Sequence, residues 1–240
     1  MQVSICPVST RTELLEFIRF PLELYREDRC FVPHLLAERK EFFDPLKNPL
    51  FEFIEAAYFL ARDPAGKVVG RITAHINRRH NEFWKDRVGF FGFFESIEDL
   101  EVARALTQAA EAWLRSRGFE QVRGPFNFST NEECGFLSEG FDRLPGIMMP
   151  YTKPYYLEFM ERLGYSSVKE LLAYEYDSGG VVPEYLTRLG QRGQERSGVT
   201  IRTLDMKNFE AEVSRAFRVY NSAWRSEEHT SELQSRVDIS

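Results

Sequence analysis

Glu95 is the residue of this chain whose setting best suits it to take up a proton. It ends the apolar segment RVGFFGFFE, where Phe91, Phe93 and Phe94 precede it. Burial among aromatic rings disfavours the charged form of a carboxyl group, which raises its pKa towards the working range of a general base. The alternative is a solvated carboxylate at the end of a strand. If it is buried, Glu95 can serve as a catalytic base.

An irregular segment over residues 124–135 combines aromatic and small polar residues. Long irregular loops in compact domains are usually functional or disordered, and the aromatic content here argues against disorder. Its polar side chains could bind an amine or a substrate headgroup. They are Asn127, Ser129, Thr130 and Asn131. The alternative is a capping box, made by Ser129 and Glu132 or by Thr130 and Glu133, that begins a short helix.

Two other reactive residues have weaker patterns. His75 lies within RITAHIN, where it could act as a base, although a structural histidine in a strand is the commoner role. Cys134 has no positioned histidine nearby in the sequence, so we expect a small packing residue. No spacing of histidines, cysteines and carboxylates is typical of a metal site.

The composition limits the classes of partner and compartment. A formal net charge of −6 gives no general case for nucleic-acid binding. The three cysteines are odd in number and lack CxxC spacing, which indicates reduced thiols and a cytoplasmic location. The first residues lack the pattern of a secretory signal, and no window approaches the apolar length of a membrane span.

Hydrophobic period and turn residues predict a mixed α/β fold. Asp63 to Gly66 is turn chemistry that joins two strands into a hairpin, and the nearly continuous apolar run before Glu95 predicts a central strand. The predicted strands are 3–8, 57–62, 67–77, 87–95, 119–124 and 168–176. The predicted helices are 11–27, kinked or split at Pro21, then 99–117 and 154–164, with short helices and turns over 33–55.

The last quarter of the chain predicts a linker and the start of a second copy. Ser178-Gly179-Gly180 indicates a linker, followed by a short helix to Arg196. A strand over 199–204 and a helix over 205–224 then repeat the pattern at the start of the chain. We therefore expect a first lobe over 1–177, a linker and short helix over 178–198, and a truncated second lobe over 199–224.

The final residues have the character of an artefact. Residues 225–235, RSEEHTSELQS, back-translate in one frame into a common short-read sequencing adapter. We therefore expect residues 225–240 to be foreign to the natural polypeptide, and such scars are excluded from fold reasoning. The alternative is a native polar tail.

Three sequence motifs resemble those of a known family. FMERLGY at 159–165 resembles the helix-to-strand signature of the GNAT acyl-CoA N-acyltransferases, and the order of elements over 3–177 is similar to theirs. GPFNFSTNEECGFL at 124–137 and MPYTKPYY at 149–156 resemble the hallmark of a two-lobed bacterial group described as bacterial-ceramide-synthase-like. The resemblance implies an α/β fold of the α+β kind, with a mixed, mostly antiparallel sheet flanked by helices.

The resemblance also implies a reaction. Acyl-CoA would be the co-substrate and an amine the acceptor, either a small amine or a lipid amine such as a sphingoid base. Glu95, directly or through a water, would take the amine proton, and strand amides would polarise the thioester carbonyl. Tyr156 would protonate the leaving thiolate. Tyr155 would do so with a different helix rotation, or would contact the substrate.

Two departures from the family pattern favour a second hypothesis. The loop 95–100, ESIEDL, has no glycine and three carboxylates, whereas the family's loop uses glycines and free amides to hold pyrophosphate. Met160 stands where the family often has its general-acid tyrosine, and a thioether donates no proton. The alternative is a non-catalytic lobe that binds the acceptor or scaffolds a missing lobe. A third hypothesis, an aminoacyl transferase that uses charged tRNA, is disfavoured by the acidic balance.

A group of cationic residues surrounds the end of the predicted hairpin. They are Arg71, Arg78, Arg79, Lys85 and Arg87. Such a group would suit a phosphate or the anionic inner face of a membrane, and would give peripheral attachment there. A solvated charged rim is the commoner arrangement on soluble surfaces.

Overall fold

A computed structural model describes residues 2–175, 182–198 and 202–231, the last of these for the backbone alone from 223 onwards. The chain divides between Ser167 and Val168 into two compact units. The first contains the sheet and the candidate residues above. The second contains two further helices.

The first unit is built on one five-stranded sheet. Its strands are β1 (Ser4–Pro7), β2 (Ile54–Arg62), β3 (Val68–Asn77), β4 (Val88–Ser96) and β5 (Gln121–Arg123). They lie in sequence order, antiparallel except for the parallel pair β4 and β5. The predicted fold class, a mixed and mostly antiparallel sheet flanked by helices, is confirmed, as is the hairpin of β2 and β3. β4 is an interior strand, while β3 is the middle one.

Helices cover both faces of this sheet. They are α1 (Arg11–Leu24), α2 (Leu36–Phe42), α3 (Arg78–Trp84), α4 (Leu100–Arg115) and α5 (Tyr155–Arg162), with a 3₁₀ turn at Pro49–Glu52. One core cluster joins α4 and α5 to the sheet, and a second, rich in phenylalanine, joins α1 and α2 to it. The site residues therefore lie between two separately packed layers.

Local sequence signals fix the ends of the main helices. Thr10 and Glu13 form a complete capping box at the start of α1. Asp99 caps α4 by accepting from the Glu101 amide, as predicted. Gly164 follows α5 with a φ of +90°, a conformation that glycine adopts without strain.

The structure differs from the sequence predictions at three places in the described residues. Of the predicted kink or split at Pro21, the split is absent, since α1 continues through the buried proline to Leu24. Residues 168–175 form no strand: no neighbouring strand pairs with them, and they are almost all exposed. α3 was not predicted, because its short polar sequence has no hydrophobic period. The Asn77 side chain accepts from the His80 amide and begins it.

The second unit contains α6 (Glu184–Ser197) and α7 (Phe209–Ser231), with a 3₁₀ turn at Met206–Asn208 before α7. Asp205 caps that turn. The predicted strand 199–204 is absent over residues 202–204, and residues 199–201 lie outside the described part, as do the predicted linker residues 178–180 and Tyr176. The division of the chain into a complete lobe and a truncated copy stays a prediction.

Candidate active site

A cavity of about 320 Å³ opens in the first unit between α1, α2, β4 and the segment 145–152. Most of its wall is aromatic and aliphatic, including Ile18, Phe31 and Phe43. Charged and polar side chains also reach it, namely Arg71, Glu95, Asn127, Glu133, His34 and Arg39. An apolar pocket with a few convergent polar groups is the usual form of a small-molecule site.

Glu95 reaches this cavity because β4 carries a bulge. Thr73 pairs with Gly92 and Arg71 with Glu95, so β4 has one more residue than β3 between these pairs. Phe93 takes a φ of 48° in the bulge, which turns the end of the strand. Glu95 is only 7% exposed, so the sequence prediction that aromatic neighbours bury it agrees with its position.

Two tyrosines hold the Glu95 carboxylate. The Tyr25 hydroxyl donates to Glu95 Oε2 at 2.8 Å and the Tyr156 hydroxyl donates to the same oxygen at 2.7 Å. Among the described residues no hydrogen bond reaches Oε1, and Glu95 lines the cavity, so Oε1 is the oxygen available to a ligand. The two tyrosines therefore orient the side chain through one oxygen and leave the other without a hydrogen bond from the described residues.

The electrostatic environment of Glu95 favours proton uptake. Burial raises the pKa of Glu95 above its ordinary value, although Arg71 and the two tyrosine hydrogen bonds oppose this. Burial and the adjacent Glu95 charge also raise the pKa values of Tyr25 and Tyr156, so both tyrosines keep their protons. A carboxyl group with a raised pKa beside neutral donors is a typical arrangement for a general base.

Tyr156 and Tyr155 lie at the start of α5 and meet the end of β4 differently. Tyr156 is fully buried, and its hydroxyl oxygen accepts from the Ser96 amide at 2.9 Å while its proton points to Glu95. Tyr155 donates to the Ser96 carbonyl at 2.8 Å. In this arrangement Tyr156 positions Glu95. Its role as the acid, and a substrate contact by Tyr155, stay predictions.

Asn127 connects β4 to a second group of polar side chains, Glu133 and His34. Its Oδ1 accepts from the Phe93 amide at 2.8 Å, and its Nδ2 donates to Glu133 Oε2 at 2.9 Å. Glu133 Oε1 lies 3.0 Å from His34 Nε2. Burial acts to raise the pKa of Glu133, but His34, Arg39 and Asn127 outweigh it and the pKa is lowered. The Phe93 amide of β4 is thus taken by the Asn127 side chain, and the predicted polarisation of a thioester carbonyl by strand amides stays a prediction.

The other polar residues of this segment lie away from the cavity wall. Thr130 and Asn131 are exposed, and the Ser129 hydroxyl accepts from the Asn131 amide at 3.2 Å. The alternative capping-box helix does not form, since residues 129–132 make a single turn. Of the four predicted substrate-binding residues in the loop, the structure brings only Asn127 to the cavity.

The positions of His75, Cys134 and Met160 agree with structural or packing roles rather than catalytic ones. His75 is fully buried between Phe90 and Phe128, and burial lowers its pKa to about 3, so it is neutral. Cys134 is partly buried, and burial raises its pKa, which disfavours the reactive thiolate. Met160 belongs to the core. Within the described residues, no group of three or more His, Cys, Asp and Glu side chains is placed to hold a metal ion.

Two residues of the site were not identified from the sequence. Tyr25 ends α1 and lies seventy positions from Glu95 in the chain, so no local pattern connects them. Arg71 was assigned to a cationic rim, but it is 8% exposed and lines the cavity. The strand alternation of β3 was the available signal, since Arg71 shares its face with the inward residues Thr73 and His75.

Three of the four remaining cations of that predicted rim have separate contacts. Arg78 pairs with Glu55 at 3.6 Å, Arg79 lies over the Phe53 ring at 4.0 Å, and Arg87 donates to the Gly118 carbonyl. They therefore do not converge with Arg71 on one anion. Among the described residues, no helix has both the length and the apolarity needed to cross a bilayer.

The start of α4 does not fit the pyrophosphate of coenzyme A. The loop 95–100 lacks glycine, and the Asp99 side chain already takes the Glu101 amide at 2.9 Å. Glu98 and Asp99 add negative charge at the point where pyrophosphate would lie. We place no part of the acyl donor at this helix.

Sequence comparison identifies a group of related proteins. The chain is 38% identical over 223 residues to a bacterial ceramide synthase of Caulobacter vibrioides (strain NA1000 / CB15N), and the matched region is 92% of this chain and 58% of that protein. It is also 38% identical over 216 residues to Protein YghO of Escherichia coli (strain K12), where the matched region is 90% of this chain and 54% of YghO. These similarities confirm the resemblance to the bacterial-ceramide-synthase-like group. The chain spans little more than half the length of these two relatives. No protein-family model matches it.

Solved structures resemble the chain more distantly. An acetyltransferase of the GNAT family from Staphylococcus aureus Mu50 is 12% identical, with a TM-score of 0.44 over 70% of this chain and 87% of that one.

Proposed function

We propose that this chain is the acceptor-binding and proton-accepting part of an N-acyltransferase. The acyl donor supplies a thioester, the acceptor amine attacks its carbonyl carbon, and the thiolate of coenzyme A leaves. Glu95 Oε1 takes the proton that the amine nitrogen loses. The observation that carries the proposal is a buried carboxylate with a raised pKa, oriented by two tyrosines, that lines a largely apolar cavity.

The cavity supports a lipid amine as the acceptor. Most of its lining residues are aromatic or aliphatic, and the Glu95 carboxylate is among the few charged ones, so an amine that carries an apolar chain matches both. A sphingoid base has this character, and the name of the Caulobacter relative agrees with it. The test is to incubate the chain with acyl-CoA and long-chain amines, measuring thiol release and the N-acyl product by mass spectrometry.

The second candidate function is an acceptor-binding lobe without catalysis. The observation in its favour is the start of α4, where carboxylates and a cap occupy the usual place of pyrophosphate. The same assay separates the two functions. Amine-dependent thiol release supports acyl transfer, whereas amine binding without any release supports the acceptor-binding lobe.

The hydrogen bond from Tyr25 should set the pH dependence of the reaction. Glu95 must be deprotonated to act, so the rate rises with pH through its raised pKa, which lies above the ordinary value of 4.5. Four groups face Glu95 and lower its pKa. They are Arg71 on β3, Tyr156 on α5, Tyr25 just after α1 and Lys153 just before α5. Tyr25→Phe removes one of these, so the rising limb of kcat/KM should move up by about one pH unit.

Tyr165→Phe is the matched control for this shift. The Tyr165 hydroxyl donates to Glu111 at 2.6 Å and does not contact Glu95. Removing the Tyr165 hydroxyl should leave the rising limb of the kcat/KM profile at the wild-type pH. A Tyr25→Phe profile that superimposes on the wild-type profile would remove Glu95 as the titrating base.

We also propose that the protein takes its acceptor from a membrane surface. Leu144, Ile147 and Met148 are 69%, 96% and 56% exposed, and the segment 145–149 forms part of the cavity wall. Apolar side chains presented around the mouth of an apolar cavity suit contact with lipid. Replacing Ile147 and Met148 by serine should weaken binding to phosphatidylcholine–phosphatidylglycerol vesicles by roughly tenfold in cosedimentation.

The control for vesicle binding is Phe83→Ser. Phe83 is 56% exposed on α3, which does not line the cavity. It should leave vesicle binding unchanged. Equal losses in both variants, or no binding by the wild type, would contradict membrane delivery.

A further inference from the structure

We propose that Arg71 binds an oxygen atom that the acceptor carries beside its amine carbon, so that the cavity selects amines with a neighbouring hydroxyl, keto or carboxylate oxygen. This inference rests on the proposed function, since it concerns the acceptor of the same site. It adds a second binding group to the cavity and narrows the substrate class.

Arg71 is a buried cation with few partners. Its NH1 donates to the Phe17 carbonyl at 2.9 Å, and its guanidinium carbon lies 5.0 Å from the centre of the Phe17 ring and 5.9 Å from that of Phe93. Its Nε is buried and has no hydrogen-bond partner within the described part of the chain. Arginine has five N–H donors, so most of them are unused here.

A buried guanidinium with unused N–H donors is costly for a folded protein, which indicates a missing hydrogen-bond partner. Burying a charge without a hydrogen-bonded counterpart is strongly unfavourable, and such groups are normally paired or bind a ligand. Glu95 is the counter-charge that Arg71 faces, but no direct hydrogen bond or ion pair joins the two side chains among the described residues. Arg39, the other arginine of the cavity wall, also has a buried Nε without a hydrogen-bond partner in this part of the chain, but its NH2 contacts the His34 and Glu38 side chains at 3.1 Å and 3.5 Å. Arg71 has no such side-chain partner, and its one hydrogen bond goes to a backbone carbonyl.

The position of Arg71 beside Glu95 defines that ligand. The two residues are direct cross-strand partners on β3 and β4, so their side chains start on one face with Cβ atoms about 5 Å apart. Both line the same cavity. An amine nitrogen that meets Glu95 Oε1 places the substituents of the adjacent carbon near the guanidinium. An oxygen there accepts from Arg71, whereas a plain alkyl chain leaves the free N–H donors of Arg71 unused.

The planar fork of arginine accepts several kinds of oxygen. A carboxylate can take two parallel N–H groups, while a hydroxyl or keto oxygen takes one. The shared chemistry is an oxygen acceptor next to the carbon that bears the amine, and equilibrium binding of matched compounds distinguishes its forms. Suitable probes of equal chain length are octylamine, 2-amino-1-octanol, 2-amino-3-octanone and 2-aminooctanoic acid.

The test is the affinity of these four amines for the 240-residue chain and its variants, measured by titration calorimetry without an acyl donor. The wild type should bind at least one oxygen-bearing amine about tenfold more tightly than octylamine. Arg71→Met keeps an unbranched apolar side chain but removes the donors, so this preference should fall to about one while the affinity for octylamine changes little. Arg71→Lys retains a charge without the fork and should keep only part of the preference. Arg71→Lys also keeps the inference testable if Arg71→Met fails to fold.

Arg62→Met is the control for the loss of a partly buried arginine. Arg62 pairs with Glu16 at 2.5 Å on β2 and does not line the cavity, so the preference should persist. Equal binding of all four amines by the wild type, no binding at all, or an equal loss for octylamine in Arg71→Met would overturn the inference. Selective binding without acyl transfer would support the role of Arg71 and contradict the proposed reaction. Acyl transfer without selectivity among the amines would support the reaction and contradict the role of Arg71.

Discussion

Glu95→Gln should lower kcat/KM for amine acylation by at least about a hundredfold, the usual loss when a positioned general base is removed. Glutamine has almost the same shape, and its carbonyl oxygen can still accept from Tyr25 and Tyr156. An amide, however, cannot take up the amine proton. The measurement is the rate of thiol release from acyl-CoA at amine concentrations well below KM, with thermal unfolding to show that the variant is folded.

Glu98→Gln provides the matched control for this loss. Glu98 lies three residues further along, is exposed, and does not line the cavity. Its rate should equal that of the wild type. If Glu95→Gln also kept the wild-type rate, Glu95 would not be the base, and the acceptor-binding lobe would be the better account of the cavity.

The parts of the fold that were predicted correctly depend on short-range signals. The hairpin of β2 and β3 followed from Asp63 to Gly66 between two alternating segments, and α4 from Asp99 as a cap with a strong hydrophobic period. α5 followed from Pro154 and Gly164 at its ends. In each case the residues that decide the structure lie within a few positions of one another.

The predictions that failed depend on contacts over long distances. A strand needs a partner, and residues 168–175 have the composition of a strand but no neighbouring strand to pair with. Pro21 is tolerated because the buried face of α1 packs on the sheet, which propensity alone does not show. Propensity was overridden in both places by tertiary structure.

The candidate site shows the same division. Glu95 and Tyr156 were predicted from local pattern and family resemblance, and they meet at 2.7 Å across 61 residues. Tyr25 could not be predicted, because its contact with Glu95 depends on how α1 lies on the sheet. Arg71 could have been placed inward from the alternation of β3, but its cationic neighbours in the sequence favoured a surface role. Ser129, Thr130 and Asn131 were included because polarity alone does not tell which side of a loop faces a cavity.

The approach of two backbone segments at Gly92 connects the stability of the fold to the geometry of the site. Phe126 donates its amide to the Phe91 carbonyl at 2.8 Å, which brings the chain after β5 directly onto β4. A Cβ atom at Gly92 would lie 1.8 Å from the Phe126 carbonyl oxygen and 2.7 Å from its carbon. Backbone atoms cannot move aside as a flexible side chain can, so only glycine fits here.

Gly92→Ala should therefore destabilise the protein by about 3 kcal/mol and lower the thermal midpoint by roughly 10 °C. The chain around Phe126 must move away from β4, which also separates Asn127 from the Phe93 amide that it accepts from at 2.8 Å. Amine affinity should fall with stability, because Asn127 and Phe93 both line the cavity. Thermal unfolding and calorimetric titration with a long-chain amine measure the two effects on one sample.

Gly146→Ala separates this steric effect from the general cost of replacing a glycine. A Cβ atom at Gly146 would meet only the flexible Met149 side chain, at 3.4 Å, although the residue lines the same cavity. Its thermal midpoint should stay within a few degrees of the wild type, in keeping with the small effects of most surface substitutions. A Gly92→Ala protein as stable as Gly146→Ala would show that the segment after β5 can leave β4 at little cost. The Asn127 contact would then be an adjustable feature of the cavity, and the position of Glu95 would depend on Tyr25 and Tyr156 alone.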